Sequence, residues 1–272
     1  MTELPFGTYV KDTHWKMHFQ KIAGNKSLPG WLRRYLKSYP ASIVADVELD
    51  GVKFRCFPGQ NHHDKLIFLG TLFSLEREEF EFMTTKVKSA EYVVDIGANT
   101  GTICIPLSFK MPSLKRILAI EPDPLTLQRL RFNLAINGIS NISVVPCAVA
   151  DREGVTRLWR SRKENLGQNS LLDPKRDSKH YVDIETKTLT SILAEHDVPR
   201  IDILKIDVEG FEDRALMPFF RSSTRAVWPK AVVIEHKSQG EWAEDCMAFM
   251  IENGYSLDGK NGQNSFLSLS DA

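Results

Sequence analysis

The sequence predicts an α/β protein: a doubly wound, mostly parallel sheet of seven strands, with an N-terminal α+β cap over residues 1–90 and the main domain over 91–272. Three observations predict it. From Tyr92 onward, short apolar runs alternate with longer stretches of helical period, the pattern of parallel strands joined by crossover helices. The first of those runs ends in a glycine-rich turn, "YVVDIGANTG" (92–101), the kind of turn that lets a ligand approach the backbone of an α/β sheet. One polar stretch, 151–188, interrupts the alternation and reads as two strands flanking an Asn/Ser/Lys-rich loop, a β-insertion between strands three and four.

The predicted core strands, in order, are 92–96, 116–121, 142–149, 201–207 and 231–236, followed by a terminal pair at 255–259 and 265–269. Each is short, apolar and rich in β-branched residues. Between them, "PLTLQRLRFNLAING" has apolar residues at helical spacing and stops at Gly138, and "EWAEDCMAFMIENG" does the same and stops at Gly254. Upstream, after "WLRRYLKSY", "ASIVADVELDGVKFRCF" reads as strands in a hairpin turning at Asp50-Gly51, and "SLEREEFEFMTTKVK" as a helix. No Pro/Gly/Ser-rich linker separates this segment from the sheet, so it is expected to cap the same core.

Composition narrows the function. Thirty-five basic residues balance 35 acidic ones, so no global charge favours nucleic acid or an anionic membrane surface. The first residues lack the basic-then-apolar pattern of a signal peptide, and no apolar run reaches the ~20 residues of a membrane span. Cys56, Cys104, Cys147 and Cys246 are far apart in apolar contexts, as reduced core thiols are. A cytoplasmic protein without an integral membrane segment is expected; its oligomeric state is left open.

The glycine-rich turn asks what it binds. A dinucleotide fingerprint would place glycines at 97, 99 and 102, but Asn99 and Thr102 stand at two of these positions, and no phosphate loop occurs elsewhere. Strand two ends in "AIEPDP", placing Glu121 where a carboxylate accepts from both hydroxyls of a ribose. A ribose without a diphosphate fits S-adenosylmethionine. Asp95 suits the cationic side of its amino-acid tail, and Gly97, Asn99 and Gly101 form the turn. Pro122 follows the ribose carboxylate, Ala148 and Val149 lie against the adenine, and Asp151 accepts from the adenine amino group. Alternatively Asp95 caps the following helix and Glu121 is a surface charge.

Together "VVDIGANTG", "AIEPDP", "AVAD" and "ILKIDVEGFE" resemble the FkbM-type family of S-adenosylmethionine-dependent methyltransferases, over roughly residues 66–269. Residues 1 to about 45 lie outside this resemblance. It implies a class I (Rossmann-like) methyltransferase fold, cofactor binding by the residues just named, and O-methylation of a hydroxyl on a saccharide, glycolipid or polyketide-like small molecule.

Methyl transfer from a sulfonium is an in-line displacement, and a hydroxyl acceptor gains from losing its proton as it attacks. In such a sheet the groups available lie at the carboxyl ends of the strands beside the switch point. Strand four ends "LKIDVEGFE" and strand five "VIEHK". Asp207 is the expected general base or hydrogen-bond partner of the acceptor, Glu209 orients the acceptor, and His236 is the competing base. Glu212 and Asp213 are expected only to complement a helix N-terminus, and Lys205 to neutralise the carboxylates. Asp207, Glu209, Glu235 and His236 could gather a divalent cation, but no spacing motif requires one and no metal is expected. His62-His63-Asp64 reads as a solvated turn, and Asn169-Ser170 as residues that could close over cofactor or acceptor. The alternatives are an amino-group methyltransferase and a non-catalytic scaffold that binds the cofactor.

Overall fold

A computed structural model describes residues 4–9, 40–160, 167, 169–172 and 180–270. The segment "WLRRYLKSY" and most of the insertion's loop lie outside them. β1 (Ala45–Leu49) and β2 (Val52–Cys56) form an antiparallel hairpin turning at Asp50 and Gly51, both at positive φ. Three helices follow, α1 (His62–Leu69), α2 (Leu72–Leu75) and α3 (Arg77–Lys86). The main sheet is built from β3 (Tyr92–Ile96), β4 (Arg116–Ile120), β5 (Ile142–Val145), β9 (Ile203–Ile206), β10 (Ala231–Glu235), β11 (Tyr255–Lys260) and β12 (Asn264–Leu269). Its order is β11-β12-β10-β9-β3-β4-β5, with only the pairings made by β12 antiparallel. The chain winds outward from β3 to β5 and returns to β9 on the other side of β3, so the switch point lies between β3 and β9.

Strand alternation sorts the core into two faces. Val93, Ile117, Ile203 and Val233 belong to one apolar cluster, which α4 (Cys104–Lys110), α5 (Pro124–Ile136) and the N-terminal elements cover. Val94, Leu118, Leu204 and Ile234 belong to the other, under α6 (Leu189–Glu195), α7 (Glu212–Ser222) and α8 (Cys246–Glu252). Phe54, Ile67, Phe68 and Met83 share the first cluster with the sheet, so the N-terminal segment has no core of its own among the described residues. Polar ties join them as well: Asn133 and Asn137 of α5 accept the backbone N–H groups of Arg55 and Lys53.

The third predicted strand, 142–149, is two strands. β5 stays in the main sheet, while β6 (Ala148–Val149) pairs with β8 (Tyr181–Lys187) in a three-stranded sheet completed by β7 (Gly154–Trp159). Pro146 lies at the break, where its missing N–H cannot continue a ladder. All four cysteines are buried, and Cys104, Cys147 and Cys246 are free thiols. Among the described residues no helix is long and apolar enough to cross a membrane.

Candidate active site

Two adjoining clefts open at the carboxyl end of β3 and β9. The first, about 600 Å³ including its open mouth, takes Gly97 and Asn99 from the glycine-rich turn, Glu121 and Pro122 from the end of β4, and Ala148 and Val149 from β6. Six of the nine predicted cofactor residues are thereby brought together. Leu158, Gly167, Asn169 and Leu171 of the insertion close the far wall. Asp123 anchors that wall: its Oδ1 caps α5, and its Oδ2 accepts from Arg160 Nε at 3.0 Å and Asn169 Nδ2 at 3.3 Å.

The other three residues serve differently. Asp151 is exposed and does not line the cleft, because β6 turns away from the main sheet and carries the following loop outward. Gly101 is buried, and a Cβ there would stand 2.6–2.9 Å from Ile105 and Leu130 side chains, so it permits close packing on α4 and α5 rather than ligand approach. Asp95 is 1% exposed and lines neither cleft; the thiol and backbone N–H of Cys104, at the start of α4, face its carboxylate. Burial pushes its pKa up to about 6 against the opposing pull of Lys205, its neighbour on β9.

Glu121 sits where a ribose would be gripped, and its carboxylate also holds the loop: Oε2 accepts from Asn99 N at 3.0 Å and Oε1 from Asp123 N at 2.9 Å. Burial pushes it up to about 8. Each oxygen can accept a second hydrogen bond, so two ribose hydroxyls fit, and their donation would favour the ionised form. Glu121→Gln should therefore weaken S-adenosylhomocysteine binding by about 1.5–3 kcal/mol, measured by calorimetric titration. The wild-type affinity should rise with pH toward about 8, because the ligand prefers the ionised carboxylate; the Gln variant should lose that rise. An unchanged affinity would remove the ribose assignment.

The second cleft, about 1230 Å³ including its open mouth, is polar. Lys205, Asp207 and Glu235 enter it from the sheet and Glu209 from the loop after β9; His63, Glu76 and Glu79 enter from the N-terminal helices. Asp207 and Glu209 line both clefts and so mark where they meet. Burial and the charge of Asp207 push Glu209 up to about 7 and Glu235 up to about 8; burial and Glu79 push Glu76 up to about 8. Lys205 lies 3.6 Å from Asp207 Oδ2. Burial works against its charge, but Asp207, Asp95, Glu79 and Glu76 outweigh burial and raise its pKa above the usual lysine value.

His236 does not reach either cleft. Its Nδ1 pairs with Ser265 Oγ at 3.0 Å, and adjacent Glu235 takes the cavity side. His62-His63-Asp64 is the first turn of α1, not a solvated turn. Asn61 caps that helix and donates through Nδ2 to Asn99 Oδ1 at 2.6 Å, while Asp64 Oδ1 accepts from Thr100 Oγ1 at 2.7 Å. The cap thus braces the glycine-rich turn, and burial lowers His63 to about 4, keeping it neutral. An asparagine N-cap with Gly70 closing the helix is a signal present in the sequence.

Glu212 and Asp213 do more than complement a helix dipole. Glu212 Oε1 accepts from Val208 N and Gly210 N, and Oε2 from Trp242 Nε1 at 2.7 Å, which holds Glu209 in its left-handed conformation at φ 52°. Asp213 Oδ2 accepts from the N–H groups of Ala243 and Glu244. Ser170 Oγ donates to Glu209 O at 3.0 Å, joining the insertion to the same loop.

The doubly wound seven-stranded sheet, with antiparallel β12 and clefts at the switch point, is a class I methyltransferase fold. The profile of the methyltransferase FkbM domain matches residues 95–257, and the chain belongs to that family. S-adenosylmethionine is its cofactor. The chain is 32% identical over 154 residues to the methyltransferase sdnD of Sordaria araneosa, covering 46% of this chain and 58% of that relative. To the 31-O-demethyl-FK506 methyltransferase FkbM of Streptomyces tacrolimicus it is 27% identical over 202 residues, covering 63% of this chain and 75% of the relative. A solved FkbM methyltransferase from Methylobacillus flagellatus superposes with a TM-score of 0.48 at 15% identity, covering 78% of this chain and 56% of that one.

Proposed function

We propose that the protein transfers a methyl group from S-adenosylmethionine to a hydroxyl of a saccharide, glycolipid or polyketide-like small molecule. The observation that carries this reading is that Asp207 and Glu209 line both clefts, so cofactor and acceptor meet against carboxylates. The acceptor oxygen attacks the methyl carbon as the carbon–sulfur bond breaks. Its proton passes to Asp207, and neutral S-adenosylhomocysteine leaves. Glu209, fixed by Glu212 and Ser170, orients the acceptor. The Streptomyces relative is named for methylating 31-O-demethyl-FK506, and a hydroxyl acceptor is what we carry over.

The test is transfer of labelled methyl into a fractionated extract by the wild type and by Asp207→Asn. The variant should keep its affinity for S-adenosylhomocysteine while turnover falls ~100-fold or more, the scale of a lost acid or base. Equal turnover would remove Asp207 from this role. The carboxylate excess of the second cleft favours one other reading, a protonated amine as acceptor; the carbon shift of the transferred methyl separates N-methyl from O-methyl products. Cofactor binding with no label in any fraction would favour a scaffold.

A further inference from the structure

Asp207, Glu209 and Glu235 come from three different places: the end of β9, the loop after it and the end of β10. One carboxylate oxygen from each lies within 4.8 Å of the other two. Ionised together, three carboxylates so close repel, and either shared protons or a cation among them relieves that repulsion. Among the described residues that line the cavity, the carboxyl groups of Glu76, Glu79, Asp207, Glu209 and Glu235 face two lysines, Lys205 and Lys237. His62 and His63 add little charge, both being lowered, chiefly by burial. Lys205 lies beside Asp207 Oδ2 and leaves Oδ1 for another partner.

A second observation points to a ligand there. Glu235 is 2% exposed and lines this cavity, yet among the described residues its Oε2 has no hydrogen-bond partner. A buried carboxylate oxygen without a donor is costly, and a coordinated cation is one of the few groups that satisfies it. The spacing is also right. Ligand distances of about 2.1 Å for a small divalent ion and about 2.4 Å for a larger one put oxygens on opposite sides about 4.2–4.8 Å apart. Three carboxylates without sulfur or imidazole select hard ions.

We propose that Asp207, Glu209 and Glu235 form a site for a hard divalent cation, Mg²⁺ or Mn²⁺, that holds the acceptor's hydroxyl oxygen opposite the cofactor. The proposal rests on reading the second cleft as the acceptor chamber. The cation holds and polarises the acceptor oxygen; while Asp207 ligates the cation, the acceptor's proton passes to water in the cavity, and the methyl displacement itself is unchanged. Open coordination positions face the cavity, where an acceptor hydroxyl and water complete the shell.

The test uses Mn²⁺ as the probe, followed by electron paramagnetic resonance in the full chain with S-adenosylhomocysteine bound. One Mn²⁺ per chain should bind, displaceable by Mg²⁺. Glu235→Gln should weaken it about tenfold or more while S-adenosylhomocysteine affinity is retained. Glu209→Gln, on a half-buried loop, should weaken it likewise and covers the case in which the buried substitution fails to fold. No bound Mn²⁺ at millimolar concentration, or equal binding by both variants and the wild type, overturns the site. The two readings fail separately: methyl transfer indifferent to chelation, with no Mn²⁺ bound, removes the site and keeps the hydroxyl reading. Mn²⁺ bound at these residues with label found only on nitrogen keeps the site and removes that reading.

Discussion

Gly97→Ala should lower the stability of the protein by roughly 3 kcal/mol or more and abolish cofactor binding with it. Gly97 has φ +83°, and a Cβ there would stand 2.1 Å from the carbonyl oxygen of Asp207 and 3.1 Å from its carbonyl carbon. The obstacle is backbone, so no side chain can rotate away. Neither strand end can yield easily, because Gly97 N donates to Ile120 O at 2.9 Å and Asp207 N to Ile96 O at 3.0 Å. A methyl group therefore pushes apart β3 and β9 at the switch point, where the cofactor turn and the proposed base lie side by side. The melting temperature should fall by roughly 6 °C or more. Gly240→Ala is the control: a Cβ there meets nothing within 4 Å, and its stability should stay within about 0.5 kcal/mol. A Gly97→Ala protein that melts with the wild type and binds S-adenosylhomocysteine would show that the two strand ends separate at little cost.

This contact also shows which parts of the site were legible in the sequence. The turn after β3 and the carboxylate ending β4 are local signals, each a strand followed at once by its candidate residue, and Gly97, Asn99 and Glu121 line one cleft. His236 and Glu235 were separable by the strand period alone: neighbours on a strand face opposite sides, so only one of the pair can enter the cavity with Asp207. Asp151 depended on β5 and β6 being continuous, and Pro146 ends that continuity. Glu76 and Glu79 could not be found this way. They reach the cavity from the N-terminal helices across more than a hundred residues, and nothing local in "SLEREEF" separates them from the exposed acids of an ordinary helix. The same holds for Asn61 and Asp64, whose bonds to Asn99 and Thr100 arise only when α1 is laid across the turn.

Lys205→Met should destabilise the protein by about 3–5 kcal/mol, the scale of leaving buried carboxylates without their counter-charge. Lys205 is 5% exposed in the middle of the sheet, flanked across the register by Asp95 on β3 and Val233 on β10. Its stem packs on the face that carries Ile203 and Val233, while its ammonium reaches Asp207. Methionine keeps most of that apolar volume, so packing loss is small and the effect isolates the charge. Asp95 is the residue most sensitive to the change, since it is 1% exposed and Lys205 opposes its burial more strongly than the neighbouring Cys104 does. Adding Asp95→Asn to Lys205→Met should therefore regain about 0.5–3 kcal/mol, the coupling of residues in one network. The coupling should survive raised salt, because a buried pair is screened far less than an exposed one. Denaturant unfolding of the two single variants and the double variant measures it directly. Equal stability of Lys205→Met and the wild type would mean that the lysine acts through its stem alone, and that the carboxylates of the second cleft are neutralised by their own protons.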